Sequence, residues 1–291
     1  MSFLEDVQRG KHLLFDGAMG TMLEKKGLGL SGGVNNIEHQ DVVTTVHKEY
    51  IAAGSDCILT NTFSLNKIYA DTHNLDIDLK QANIMGVAAA KEAVQNAGRK
   101  IYIFGDLGPT GLMLKPLGLG EPEEILAAYK DQAKVLADEG VDGFMVETMF
   151  DVEEALLAIK AIREVSKLPI VASVTFSTPA KGGRTIMGNS AADCAKKFTE
   201  AGACVVGTNC GDIDIKDLAN IIANMKEAVD TPLILQANAG KPELVDLVTS
   251  YNMSPVDYAA NMADCLKAGA QILGGCCGTT PEHIAALKAL V

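Results

Sequence analysis

The chain has no tryptophan, 5% aromatic residues in all, and five histidines among 291 positions. So few rings leave little with which to build an aromatic cage for a quaternary ammonium group. The histidines, His12, His39, His47, His73 and His283, show neither His-x-His nor His-x-x-x-His spacing. That argues against the His-ligated metal sites of barrel hydrolases. Basic residues number 25 against 37 acidic ones and form no run longer than pairs such as Lys25-Lys26 and Lys196-Lys197. With a formal net charge of −12 and no positive patch, the chain offers a nucleic acid nothing to hold. No stretch approaches the ~20 apolar residues of a membrane span, and residues 1–10 carry no apolar segment of a secretory signal. The expectation is a cytoplasmic protein with no membrane partner, whose seven cysteines stay as free thiols in a reducing compartment. No Ser/Pro-rich linker or low-complexity stretch interrupts it, so residues 1–291 read as one domain.

What is present is an alternation. Short apolar runs at Leu13–Phe15, Cys57–Thr60, Ile101–Phe104, Gly143–Val146, Pro169–Thr175, Ala203–Thr208, Leu233–Gln236 and Gln271–Leu273 are mostly rich in Ile, Val and Leu without polar alternation. Strands buried on both faces of a parallel sheet read this way. Between them lie helical patterns that open on Pro or an acid and stop at Gly, such as Asp41–Ala53 before Gly54 and Glu123–Glu139 before Gly140. Eight strand–helix units with right-handed crossovers predict an α/β fold, a (β/α)8 TIM barrel. An open doubly wound sheet is the alternative, weakened because no Gly-x-Gly-x-x-Gly follows the first strand. Two long connections, 61–79 and 105–120, follow strands and so belong to the face where barrels build active sites.

Cysteines mark that face. Cys276 and Cys277 adjoin in Gly274-Gly275-Cys276-Cys277-Gly278, and Cys210 stands in Thr208-Asn209-Cys210-Gly211. On the predicted barrel these are the C-terminal ends of strands 6 and 8. Three thiols suit a zinc ion with one position left open, which is where chemistry occurs. Neighbouring side chains on a strand point to opposite faces, so Cys276 and Cys277 can share an ion only if the backbone leaves strand geometry. The flanking glycines are expected to supply that freedom. Three thiolates over-neutralise a divalent ion, making it a poor activator of water but a good holder of a nucleophilic thiolate. The chemistry indicated is thiol alkylation. Two other readings stay open at this point. The glycine run after strand 8 could cradle a phosphate in a lyase or isomerase, with Lys241 as its cation, or the adjacent cysteines could form a redox pair. A metal- or redox-sensing module without catalysis is a third class. Cys57, Cys194, Cys204 and Cys265 read as core.

Polar residues occupy other strand ends. Asp16-Gly17-Ala18-Met19 follows strand 1 and Glu147 ends strand 4. Backbone N–H groups at Gly17, Ala18 and Met19 could bind a carboxylate, while Asp16 and Glu147 could accept from an ammonium. The competing roles are helix caps near Ala18 and after Asp151. Asn238, ending strand 7, is a candidate for the fourth zinc ligand in the substrate-free protein, or else a turn residue before Gly240. No general base is evident.

These stretches, FDGAMGTML (15–23), TNTF (60–63), GPTG with PLG (108–111, 116–118), VETMFD (146–151), TNCG (208–211), QANAG (236–240) and GGCCGTTPEHI (274–284), resemble the homocysteine S-methyltransferase family. Within it they resemble the homocysteine-binding barrel of cobalamin-dependent methionine synthases. The resemblance implies that Cys210, Cys276 and Cys277 bind zinc and that homocysteine sulfur is the fourth ligand. It implies that Asp16 and Glu147 contact the substrate amino group, with the 17–19 backbone at its carboxylate. Methyl transfer in line to the zinc-bound thiolate would give methionine without a general base. The implied donor is methylcobalamin on another domain or a separate corrinoid protein, in some members alongside a folate module. Asp71-Thr72-His73-Asn74-Leu75-Asp76 lacks the glycine of the corrinoid-binding Asp-x-His-x-x-Gly motif. Members that use S-methylmethionine or betaine supply the alternative donor, betaine being disfavoured by the missing tryptophan.

Overall fold

The computed structural model describes residues 2–29, 32–245 and 248–291. Its strands in chain order are β1 (Leu13–Leu14), β2 (Cys57–Leu59), β3 (Tyr102–Leu107), β4 (Gly143–Met149), β5 (Ile170–Val174), β6 (Val205–Asn209), β7 (Leu233–Ala237), β8 (Glu243–Val245), β9 (Val248–Ser250) and β10 (Ala270–Gly275). The helices are α1 (Phe3–Gln8), α2 (Gly20–Lys25), α3 (Asn35–Glu38), α4 (Gln40–Ala53), α5 (Lys67–Thr72), α6 (Leu79–Val94), α7 (Pro122–Asp138), α8 (Val152–Val165), α9 (Ala191–Glu200), α10 (Ile215–Ala228), α11 (Pro255–Lys267) and α12 (Pro281–Lys288). Eight parallel strands run in the order β1-β10-β7-β6-β5-β4-β3-β2, with helices following them in the manner of a (β/α)8 barrel. β8 and β9 form a separate antiparallel hairpin between β7 and α11. The expected runs became strands within a few residues, and Gly54 closes α4 in the left-handed region at φ 114°.

The barrel closes between β1 and β2 through two aspartates, by one backbone bond and two side-chain bonds. The Asp56 N–H donates to Leu14 O at 2.6 Å, and the Asp56 carboxylate accepts from Leu14 N–H at 3.1 Å. One turn higher, Asp16 Oδ2 accepts from Leu59 N–H at 3.0 Å. Two short strands therefore meet across a seam held by aspartates, and one of these belongs to the functional rim.

Inside the barrel, Leu13, Phe15, Cys57, Phe104, Met145, Val171, Val205, Ile234 and Ile272 form a closed apolar cluster. The short α1, unforeseen in the sequence, plugs its N-terminal end. Phe3 packs edge-on against Phe104 at 4.7 Å and Tyr102 at 5.7 Å between ring centroids. The larger core lies between the sheet and the outer helices. Strand alternation then dictates what comes next. Side chains two residues beyond an inward-facing one also face inward, so Phe104 leads to Asp106, Met145 to Glu147, Val171 to Ser173 and Ile234 to Gln236. The mouth of the barrel is thus a polar ring set on an apolar plug.

One buried group in the outer core carries a stability prediction. His47, on α4, is fully buried and neither ring nitrogen has a hydrogen-bond partner. Burial pushes its pKa down to about 4. Unfolding lets the ring take a proton near its ordinary pKa, whereas the folded state excludes it. This contribution to stability is therefore complete above about pH 6.5 and drains away as pH falls toward 4, by up to about 3 kcal/mol. Denaturant titrations at pH 7.5 and 5 should show that loss in the wild type, and His47→Leu should flatten it.

Candidate active site

The sulfur cluster forms because two strand ends stop abruptly. β10 ends at Gly275, and Cys276 and Cys277 lie in the following turn. Cys276 N–H donates to Ala237 O (2.8 Å), and Cys277 O accepts from Ala239 N–H (2.9 Å), so the turn is pinned to the end of β7. Across the mouth, Cys210 follows β6 in a left-handed conformation at φ 59°. A non-glycine residue there stores roughly 1–2 kcal/mol of strain, a departure that turns its thiol toward the other two. The three sulfurs lie within 4.8 Å of one another, and Cys210 Sγ stands 3.9 Å from Cys277 Sγ. Three sulfurs about 2.3 Å from one tetrahedral zinc would be spaced by about 3.8 Å. The donor set and its spacing fit a single metal ion.

The trio shares its protons unevenly. Hydrogen bonds from the Cys210 and Cys276 thiols hold Cys277 far below the ordinary thiol range, and the same contacts, with burial, push Cys276 up. Ionising all three neighbouring sulfurs calls for a cation. The Tyr251 side chain, just beyond the β8–β9 hairpin, stands close enough to Cys277 to help hold its thiol down. Glycine earns its place in this turn for two different reasons. Gly278 adopts φ 79°, but a Cβ on Gly275 would stand 2.4 Å from Thr279 Oγ1, and one on Gly274 2.9 Å from Gln236 Cγ and Phe15 Cβ. Gly274 and Gly275 therefore serve close approach, which corrects the expectation that they supply backbone freedom.

The acids expected at the rim are there, and neither caps a helix. Asp151 caps α8, and α2 begins at Gly20 with no side-chain cap. Asp16 is 3% exposed with Oδ1 lacking any partner, and burial raises its pKa well above the carboxylate range. Burial first, and then the negative charge at Cys277, raise Glu147 to about 8. The Gly17–Met19 backbone is fastened to the β10–α12 turn. The Ala18 N–H donates to Thr279 Oγ1 (3.1 Å), and Tyr50 Oη donates to Ala18 O (2.9 Å) and Thr279 O (3.1 Å). Since Ala18 N–H is taken, a carboxylate arriving there has Gly17 and Met19 before it. Asn238 donates through Nδ2 to Gly211 O, while its buried Oδ1 has no partner.

Asn209 is a residue the sequence did not single out. Its Oδ1 accepts from Thr148 N–H (2.8 Å) and Ser173 Oγ (2.5 Å). Its Nδ2 donates to Thr148 Oγ1 (2.7 Å) and Glu147 Oε2 (3.3 Å) and lies 3.9 Å from Cys276 Sγ. Thr148, β-branched and left-handed at φ 59°, is an outlier held by that bond. One amide thus joins the acidic side of the mouth to the sulfur side. Its adjacency to Cys210 was the available clue.

The phosphate reading fails here. The N–H groups of Gly275, Cys276, Gly278 and Thr279 donate to Asp16 O, Ala237 O, Thr21 Oγ1 and Cys276 O, leaving none of these for a phosphate, and Lys241 is exposed. The redox-pair reading finds no disulfide, since all seven cysteines are free. Cys57, Cys194 and Cys265 are buried core residues as expected, and Cys204 is half-buried with its thiol on Ile170 O.

Residues 13–291 match the sequence model of homocysteine S-methyltransferase. The chain belongs to the homocysteine S-methyltransferase family. It is 30% identical over 305 residues to the methionine synthase of Mycobacterium tuberculosis (strain ATCC 25618 / H37Rv), covering 99% of this chain and 25% of that protein. It is 28% identical over 293 residues to that of Mycobacterium leprae (strain TN), covering 95% and 24% respectively. The chain thus spans about a quarter of the length of these curated relatives. Among solved structures, the metallated form of the Escherichia coli homocysteine methyltransferase MmuM superposes with a TM-score of 0.80 at 23% identity, covering 98% of both chains. Its oxidized form gives 0.82 at 22%, covering 99% of both. At that identity the likeness speaks to the barrel alone.

Membership gives this methyltransferase barrel a sulfur-alkylating chemistry that agrees with its own donor set. The mouth brings three thiols and buried acids to one rim. No helix among the described residues is long and apolar enough to cross a membrane.

Proposed function

We propose that this chain methylates homocysteine at sulfur to form methionine, binds zinc through Cys210, Cys276 and Cys277, and takes the methyl group from a corrinoid carried by another module. The observation that carries the reading is the convergence of three sulfurs within 4.8 Å at one rim of a homocysteine S-methyltransferase barrel. When bound, zinc supplies a thiolate form of the substrate at neutral pH, and three thiolate ligands leave that sulfur nucleophilic.

The remaining work belongs to protein groups. Asp16 Oδ1 and the Glu147 carboxylate accept from the substrate ammonium, and the N–H groups of Gly17 and Met19, on either side of the occupied Ala18 N–H, face its carboxylate. Asn238 Oδ1 serves as the fourth zinc ligand before substrate arrives. The orphaned, buried state of that oxygen supports the assignment, because an amide acceptor left dry costs about 1–3 kcal/mol. A nucleophile already ionised needs no general base, so orientation is what these residues contribute.

The corrinoid donor is supported by methionine synthases four times the length of this chain, with room for further modules. Betaine stays the disfavoured donor, since a chain with no tryptophan and 5% aromatic residues has few rings with which to build a quaternary ammonium cage. The test is metal analysis followed by homocysteine with one donor at a time. We expect about one zinc per chain and methionine from methylcobalamin but not from betaine. Methionine from S-methylmethionine alone would transfer the donor role to a free small molecule, and no methionine from any donor would overturn the reading.

A further inference from the structure

Asp106 is absent from the functional account so far, yet it faces the barrel mouth. It lies on β3 two residues above Phe104 of the interior cluster, opposite Met145 in the β3–β4 register. That places it one step from Glu147 on the neighbouring strand. It is 5% exposed, its Oδ1 has no partner, and no ion pair among the described residues reaches it, Asp16 or Glu147. Burial, followed by the charges of Glu147 and Asp16, pushes its carboxyl well above the usual range. Three buried acids therefore share one space without a protein cation, which is costly unless something positive enters.

A second observation, independent of the acids, identifies the visitor. Gln236, 1% exposed and inward-facing on β7, also leaves Oε1 unpartnered. Asn238 Oδ1 apart, which the reading above gives to the metal, the orphaned buried side-chain atoms facing this mouth among the described residues are oxygen acceptors: Asp16 Oδ1, Asp106 Oδ1 and Gln236 Oε1. The missing group is a donor with several N–H bonds and a positive charge.

We propose that Asp106 is a third carboxylate of the substrate ammonium site, with Gln236 Oε1 on the opposite wall as a neutral acceptor, and that it sets selectivity for thiols bearing an α-amino group. The proposal rests on the homocysteine reading above. It goes beyond that reading by assigning Asp106 a contact with substrate and by naming what it discriminates against. A thiol lacking the amine would leave three acids facing one another without compensation.

The test is calorimetric binding of L-homocysteine and of 4-mercaptobutyrate, the same thiol without its amine, to the zinc-loaded chain and to Asp106→Asn. The amide keeps the shape and removes the charge, so the variant should melt at or above the wild type; Asp106→Ser serves as a second variant. We expect Asp106→Asn to weaken homocysteine about 10- to 100-fold, the effect of one charge-assisted contact, and to leave 4-mercaptobutyrate within twofold. Equal weakening of both thiols, or no weakening of either, overturns the assignment while leaving the homocysteine reading intact. A wild-type chain that binds homocysteine no better than 4-mercaptobutyrate overturns both.

Discussion

Cys210→Ala should strip the chain of zinc and reduce methionine formation by about three orders of magnitude or more, because two thiolates cannot hold the ion in an open tetrahedral site. The geometry makes this cysteine decisive. Cys276 and Cys277 arrive together on one turn, whereas Cys210 alone brings β6 to the sulfur cluster, in a left-handed conformation at φ 59°. The fold should survive, since the apolar interior lies beneath the mouth and none of its members contacts the ion through sulfur. Metal analysis after gel filtration reads the first effect, and methionine production from homocysteine the second. A chelator supplies the complementary measurement. It should lower the melting temperature of the wild type toward that of the variant but leave the variant unmoved, since a metal bound only by the folded state adds stability by mass action. Cys265→Ala is the contrast. That thiol is buried on α11 and touches Ile215 O and Asn261 O, so its loss should cost about 1 kcal/mol of stability and no zinc. Zinc retained by Cys210→Ala with activity near wild type would remove the basis of the proposed chemistry.

The contrast between Cys210 and Cys265 also shows where sequence reading ends. Cysteine spacing was legible because two of the three sit beside glycines at the ends of strong β patterns, and such patterns survive in a single sequence. The alternation of eight apolar runs was legible for the same reason: parallel strands buried on both faces need unbroken Val, Ile and Leu. Asp106 and Gln236 were not legible, since inward or outward direction follows from a period of two counted from a residue already known to face inward. Only the closed barrel makes Phe104 and Ile234 such reference points. The six-residue α1 was missed because so short a segment carries too few periods of 3.6 to register. The β8–β9 hairpin lies where a loop was expected between strand 7 and its helix, and it brings Tyr251 to Cys277. A helix-cap role was a serious competitor to a functional one for Asp16 in the sequence. What separated them was the barrel itself, where Asp16 Oδ2 binds Leu59 N–H across the seam and α2 has no side-chain cap.

Asn209→Ala should damage both halves of the site at once, with a loss of about 2–5 kcal/mol of stability and roughly 100-fold in methionine formation. The alanine would leave Thr148 N–H, Ser173 Oγ and Glu147 Oε2 without the partners they hold now. Thr148 is the weak point. Its left-handed backbone at φ 59° persists because Asn209 Oδ1 holds its N–H, and a β-branched residue released from that bond has every reason to relax toward the extended region. Relaxation there would carry Glu147, one residue earlier, out of register with the substrate ammonium. On the other side, Nδ2 stands 3.9 Å from Cys276 Sγ, so the same deletion removes a donor that faces one of the proposed zinc ligands. Asn209→Asp separates these effects. The carboxylate still accepts from Thr148 N–H and Ser173 Oγ, so much of the stability should return. It cannot donate, however, and it sets a further negative charge against Glu147 and the sulfurs. Stability rescued without activity is therefore the expected signature of Asn209→Asp, read by denaturant titration and methionine assay on the same preparation. If activity returned along with stability, Asn209 would serve only to hold the Thr148 backbone, and its donor contacts to Glu147 and Cys276 would carry no functional weight.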